Sequence, residues 1–230
     1  MKISLYLILF LVAGTICYSQ QNIAFADGAF DRSSSFITIG LDDKVDVEGS
    51  KYIQDDFNMA TISIYSGYKF NVKYNAYDDE MEVQGKDNKS FALNKNEKSA
   101  EVTFVNNNIT YGLFDYANSD GQKVPGYFQK LSVGETVALL KKEKIMFIEE
   151  KVSKTGYDTY RPPKFKRLND QFFIKLKESP VAIEFPKNKK NIASLFPNKK
   201  DKILKFIKEN KIKTNKEEDL IKLTNYINGV

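Results

Sequence analysis

Ile62 and Ile64 alternate with Thr61 and Ser63, and further on Phe70, Val72 and Tyr74 alternate with Lys69, Asn71 and Lys73. Period-two alternation marks strands with one buried and one wetted face. The same rhythm runs from Phe36 to about Glu184 through EMEV, SFAL, EVTFV, ITYGLF, GYFQKL, TVALL, KIMFIEE, QFFIKL and VAIEF. Between these runs stand turn-formers: Ser66-Gly67, Asn106-Asn107-Asn108, Ser119-Asp120-Gly121 and Asn169-Asp170. About ten short strands at this spacing predict a mainly antiparallel sheet, arranged as a sandwich, roll or meander.

The rhythm stops at Lys151–Pro163, KVSKTGYDTYRPP, which reads as a long loop or linker. Beyond Pro186 the period becomes helical. In PNKKDKILKFIKEN, Asn198 is the expected cap, Asp201 falls in the first turn, and Ile203, Phe206 and Ile207 share a face. In TNKEEDLIKLTNYINGV, Thr214 and Glu217 stand at capping-box spacing and Leu220, Leu223 and Ile227 form one stripe. The predicted class is therefore α+β: a β-rich domain over residues 20–184 and a basic helical segment over 185–230, packed on it.

Residues 1–19 read differently. Lys2 is followed by an apolar run from Ile3 to Ile16, too short for a spanning helix, with small residues at Cys17 and Ser19 ahead of Gln20. This is the pattern of a secretory signal peptide, so an exported chain is expected, periplasmic or extracellular. After signal removal no integral membrane span is expected. A lone cysteine permits no internal disulfide.

Composition narrows the chemistry. The chain contains no histidine, which removes Ser-His and Cys-His nucleophile pairs, the usual zinc sites and histidine-ligated haem. Asp, Glu, Lys, Arg, Tyr and Ser remain. Charge is also unevenly divided: residues 20–150 hold 14 basic and 21 acidic side chains, residues 151–230 hold 20 and 9. The basic third presents Lys189, Lys190, Lys199, Lys200, Lys202 and Lys205, which read first as a solvated helix face or one laid against the acidic β domain, and second as a surface for an anionic envelope polymer. Nucleic acid is not an expected partner, since no binding motif accompanies the lysines.

The runs GSKYIQDDF, KYNAYDDEMEV, VPGYFQKL, VALLKKEKIMF and KEEDLIKLTNYIN resemble a family of exported proteins of flavobacteria and their relatives, over Gly49 to Asn228. The resemblance implies export and carries no activity, ligand or catalytic residue.

The densest polar constellation is KYNAYDDEMEV. Tyr74, Tyr77, Asp78, Asp79, Glu80 and Glu82 are the candidate ligand-binding residues, but Asn75, Asp78 and Asp79 are also turn-formers. Glu80 and Glu82 alternate with Met81 and Val83, which places them on the solvent face. A hairpin turn accounts for the motif by itself, with an ion or ligand site and a catalytic pair as lesser readings. Asp115–Gly121, DYANSDG, fails as a calcium loop because Tyr127 stands where a bidentate Glu is required. Ser66 and Lys69 have Ser-Lys spacing without the helix that chemistry needs. Tyr157, Tyr160 and Arg161 divide evenly between a binding loop and an anchored one.

No metal or cofactor is expected, and the oligomeric state is left open. The expected function is that of an exported envelope protein which binds or scaffolds another component. The rival is a carboxylate-based glycan hydrolase, with Asp78, Glu80 or Glu82 joined by Glu101 or Asp115.

Overall fold

Alternation becomes structure where each inward side chain finds a partner in the core. The computed structural model describes residues 35–39, 47–85, 89–152 and 159–230. The signal-peptide reading of residues 1–19, and Tyr157, lie outside the described residues. The strands are β1 (Phe36–Thr38), β2 (Asn58–Ile62), β3 (Phe70–Asn75), β4 (Glu80–Gln84), β5 (Ser90–Leu93), β6 (Glu101–Phe104) and β7 (Thr110–Ala117). There follow β8 (Lys123–Val133), β9 (Val137–Lys142), β10 (Ile145–Ile148), β11 (Lys164–Arg167), β12 (Gln171–Leu176) and β13 (Ile183–Glu184).

Among the described residues eleven strands make one sheet in the order β1-β5-β4-β3-β2-β6-β7-β8-β9-β12-β13, and β10 and β11 form a separate ribbon. Every paired strand is antiparallel. The sheet curls on itself until the β3–β4 turn meets β8, where the Tyr127 N–H donates to Asp79. The Ile145 N–H, just past β9, closes the same contact by donating to the Ala76 carbonyl at 3.2 Å.

Helix α1 (Lys189–Ser194) is capped by Asn188, whose side chain accepts from the Lys190 N–H. Sequence periodicity missed it because it is only six residues long. Helix α2 (Lys200–Glu209) and helix α3 (Glu217–Gly229) end the chain. Their expected caps are not used. Pro197 opens a 3₁₀ turn that leads directly into α2, and Asn198 makes no capping hydrogen bond. Thr214 donates instead to the Lys187 carbonyl and Glu217 accepts from Lys141, so tertiary partners replace the capping box.

Two apolar cores lie on one face of the sheet. The first, inside the curl, includes Ile62, Val72, Tyr74, Val102, Leu113 and Tyr127. The second joins Val137, Leu139 and Ile174 to Ile192, Ile207 and Leu223 of the helices. Cross-strand partners share a face, and the row Tyr111–Gln129–Lys141 crosses β7, β8 and β9 between the two cores. A third, smaller cluster around Phe128, Leu140 and Phe173 covers the opposite face.

Candidate functional site

The β3–β4 hairpin begins with Asn75, whose side-chain oxygen accepts from the Tyr77 and Asp78 N–H groups. That is the turn chemistry the sequence predicts. The orientation of the acids is not. Glu82 is 3% exposed, accepting from the Tyr52 hydroxyl at 3.0 Å and from Asn75 Nδ2 at 3.0 Å. Tyr52 arrives because the chain ahead of β2 bridges to Asn75 and lies across what would be the solvent face of β4.

Asp79 also turns inward. Its backbone is left-handed, φ 60°, a conformation that Asp tolerates better than most residues. One oxygen accepts from the Lys142 ammonium at 2.5 Å and from the Tyr74 hydroxyl at 2.7 Å. The Lys142 ammonium is buried, donates also to the Tyr127 carbonyl at 2.9 Å, and lies 4.9 Å from the Phe128 ring centroid. Burial pushes Lys142 below its ordinary value of 10.5, while Asp79 pulls it back up. Burial, followed by the adjacent Asp79 charge, holds the Tyr74 hydroxyl well above its ordinary value of 10.0.

The expectation that Glu82 faces solvent is therefore corrected, and the turn-former Asp79 points inward as well. Asp78 is exposed and accepts from Asn75 at 2.9 Å. Glu80 is half-buried and titrates above its ordinary 4.5, chiefly through burial. Tyr77 packs edge-on against Phe165 and anchors the β10–β11 ribbon. The hairpin acids are not gathered around a common space: Asp79 serves β8 and β9, while Glu82 serves the segment ahead of β2.

A concave space does exist elsewhere. A cavity of about 190 Å³ opens beside the first core, and its polar wall includes Lys73, Tyr74, Tyr111, Gln129, Lys141 and Glu143. Glu143 is 5% exposed, accepts from Arg167 at 2.7 Å, and receives the Tyr111 hydroxyl. Burial and then the Glu143 charge raise Tyr111 far above its ordinary range. Lys141 donates to Glu217 at 3.0 Å, linking the cavity to the first turn of α3. Phe104, Ile53 and Ile109 supply the apolar wall.

Of the predicted site residues only Tyr74 lines this cavity. The signal for the others lay in phase: Lys141 and Glu143 continue the inward series Val137, Leu139, and Gln129 sits between Tyr127 and Leu131. Polar residues on the apolar phase of a strand are the ones that need partners or line a space.

On the basic segment, Lys189, Lys190, Lys200, Lys202 and Lys205 are exposed. Lys199 is not part of that surface: it is half-buried and donates to the Ile227 carbonyl at 3.2 Å, tying down the end of α3. Among the described residues no group of acids is arranged to hold a metal ion, and no helix is long and apolar enough to cross a membrane.

Fold and site define an α+β protein: a curled antiparallel sheet with helices on one face and a small mixed-polarity cavity between its two cores. Compared with known proteins, the chain matches no family model, no curated protein and no solved structure.

Proposed function

We propose that the chain is an exported cell-envelope protein that holds another envelope component and leaves its covalent bonds intact. One observation carries this reading: two of the four carboxylates of the acidic hairpin, the buried Glu82 and the inward-turned Asp79, serve the protein's own architecture. Asp79 is spent on Lys142 and the Tyr127 N–H, and Glu82 on Tyr52 and Asn75. A hydrolase of glycans needs two acids flanking one bond, roughly 5–10 Å apart. The acids that would complete such a pair have ion partners too, Glu101 with Lys130 at 2.7 Å and Asp115 with Lys98 at 2.9 Å.

Export is supported by the charged, apolar and small-residue pattern of residues 1–19. An anionic component is supported by the exposed lysines of α1 and α2, whose attraction to fixed negative charge is screened by salt. The test is retention on isolated anionic envelope fragments across a salt series. Retention at low salt, falling as salt rises and falling several-fold when Lys189, Lys190, Lys200, Lys202 and Lys205 are changed to Gln, is the expected result. Retention indifferent to both would refute the electrostatic part.

A further inference from the structure

We infer that the cavity between the two cores is a binding site for one neutral sugar residue of an envelope glycan. The inference rests on the reading of the chain as a binder and names what its cavity takes.

Charge comes first. Every charged group in the wall is already answered within the protein. Lys73 stands 3.6 Å over the Tyr52 ring and 3.9 Å from Glu82, Lys141 is bonded to Glu217, and Glu143 is held between Arg167 and Tyr111. A charged ligand would have to break one of these pairs or bury its own charge unpaired, and both are costly. A neutral one meets no such penalty.

Hydrogen bonding comes second. The Gln129 carboxamide lies half-buried in the row between Tyr111 and Lys141 and has no side-chain hydrogen bond among the described residues. Gln54 and Asn107 line the same cavity, using their oxygens on Asn58 Nδ2 and the Ile109 N–H while their amide nitrogens stay uncommitted among the described residues. A carboxamide holds an NH2 donor and a carbonyl acceptor side by side in one plane, which matches a pair of neighbouring hydroxyls. The Phe104 and Ile109 side chains in the same wall offer an apolar surface for the C–H face of a ring. The volume, about 190 Å³, lies below the roughly 300–1,000 Å³ of sites for drug-sized ligands, so one ring fits and a longer oligomer must extend outside.

The experiment uses the ¹⁵N-labelled chain from Gln20 onward, with the Gln129 side-chain amide signal assigned by its loss in Gln129→Met. Glucose, galactose, mannose and N-acetylglucosamine are the probes; glucuronate, leucine and thymidine are the comparators. At least one neutral sugar is expected to move the Gln129 amide saturably, with affinity on the order of millimolar. Gln129→Met, followed through the backbone amides of Tyr111 and Lys141, and, independently, the surface change Gln54→Ala should each weaken binding about tenfold, with native amide spectra otherwise retained. Comparators should bind at least about tenfold more weakly. No saturable shift from any sugar, comparators binding as well, or both variants binding unchanged would overturn the inference. If the sugars fail while envelope retention persists, this inference alone falls; if retention fails as well, the reading beneath it falls too.

Discussion

At Asp79 a turn-forming carboxylate has become the end of a buried bridge. Its partner Lys142 has a side chain only 6% exposed, so Asp79→Asn leaves an ammonium without its counter-charge. Breaking a buried pair from one side should cost about 3 kcal/mol, read as a lower urea midpoint with unchanged slope. Adding Lys142→Met should return most of that loss, because no unpaired charge remains. Gly126 gives a steric version of the same test. A Cβ there would come within 2.6 Å of the Tyr116 ring, 2.9 Å of Lys142 Nζ and 3.0 Å of Asp79 Oδ2. Gly126→Ala is expected to destabilise by about 2 kcal/mol through overpacking.

The buried tyrosines supply a pH prediction. Tyr74, Tyr111 and Tyr127 all hold their protons above the ordinary 10.0, chiefly through burial. The unfolded chain loses these protons first, so their contribution to stability is intact below pH 10.0 and declines as pH rises beyond it. Tyrosinate absorbance should therefore appear in two stages, exposed tyrosines first and the buried three together with loss of the folded circular-dichroism signal. Smooth titration of all tyrosines before unfolding would contradict this.

At the scale of elements, the strands were legible because burial and alternation coincide: Phe70, Val72 and Tyr74 are buried where the pattern places them. Less was legible wherever a distant segment decides the environment. Glu82 sits on the outward phase of β4 and is buried by Tyr52, thirty positions earlier in the chain. No local pattern announces that. β11, KFKR, carries little apolar signal and exists through its pairing with β10. The cavity was half legible, since Gln129, Lys141 and Glu143 break the apolar phase of their strands, yet only the fold reveals that they share a space.

Beside its apolar stripe, helix α3 is docked by Asn228 near its end. Asn228 Oδ1 accepts from the Thr136 and Val137 N–H groups at 3.1 and 2.9 Å, and its amide donates to the Val137 carbonyl at 3.0 Å. A Cβ on Gly134 would fall 2.2 Å from Asn228 Cγ, so the β8–β9 turn is shaped to admit it. Asn228→Ala should cost about 2 kcal/mol and speed hydrogen exchange in α3 before that of β3 and β4.

Over the whole molecule, the uneven charge acquires a geometry. The helical lobe covers Val137, Leu139 and Ile174 with its apolar stripe and presents lysines outward. Removing residues 187–230 would bare that core along with the charge, so charge substitutions on the intact chain are the cleaner probe of the basic surface. The lobe and the cavity are coupled through Lys141 and Glu217.

The claim on which the account turns is that this protein binds its envelope partner without cutting it. The decisive measurement is to incubate the purified chain with envelope polysaccharide at low salt, separate bound from free, and determine the polymer's chain-length distribution. The expected result is a retained protein and a distribution identical to that of untreated polymer. A shortened distribution that reverts in Glu143→Gln or Glu80→Gln would show catalysis and contradict it.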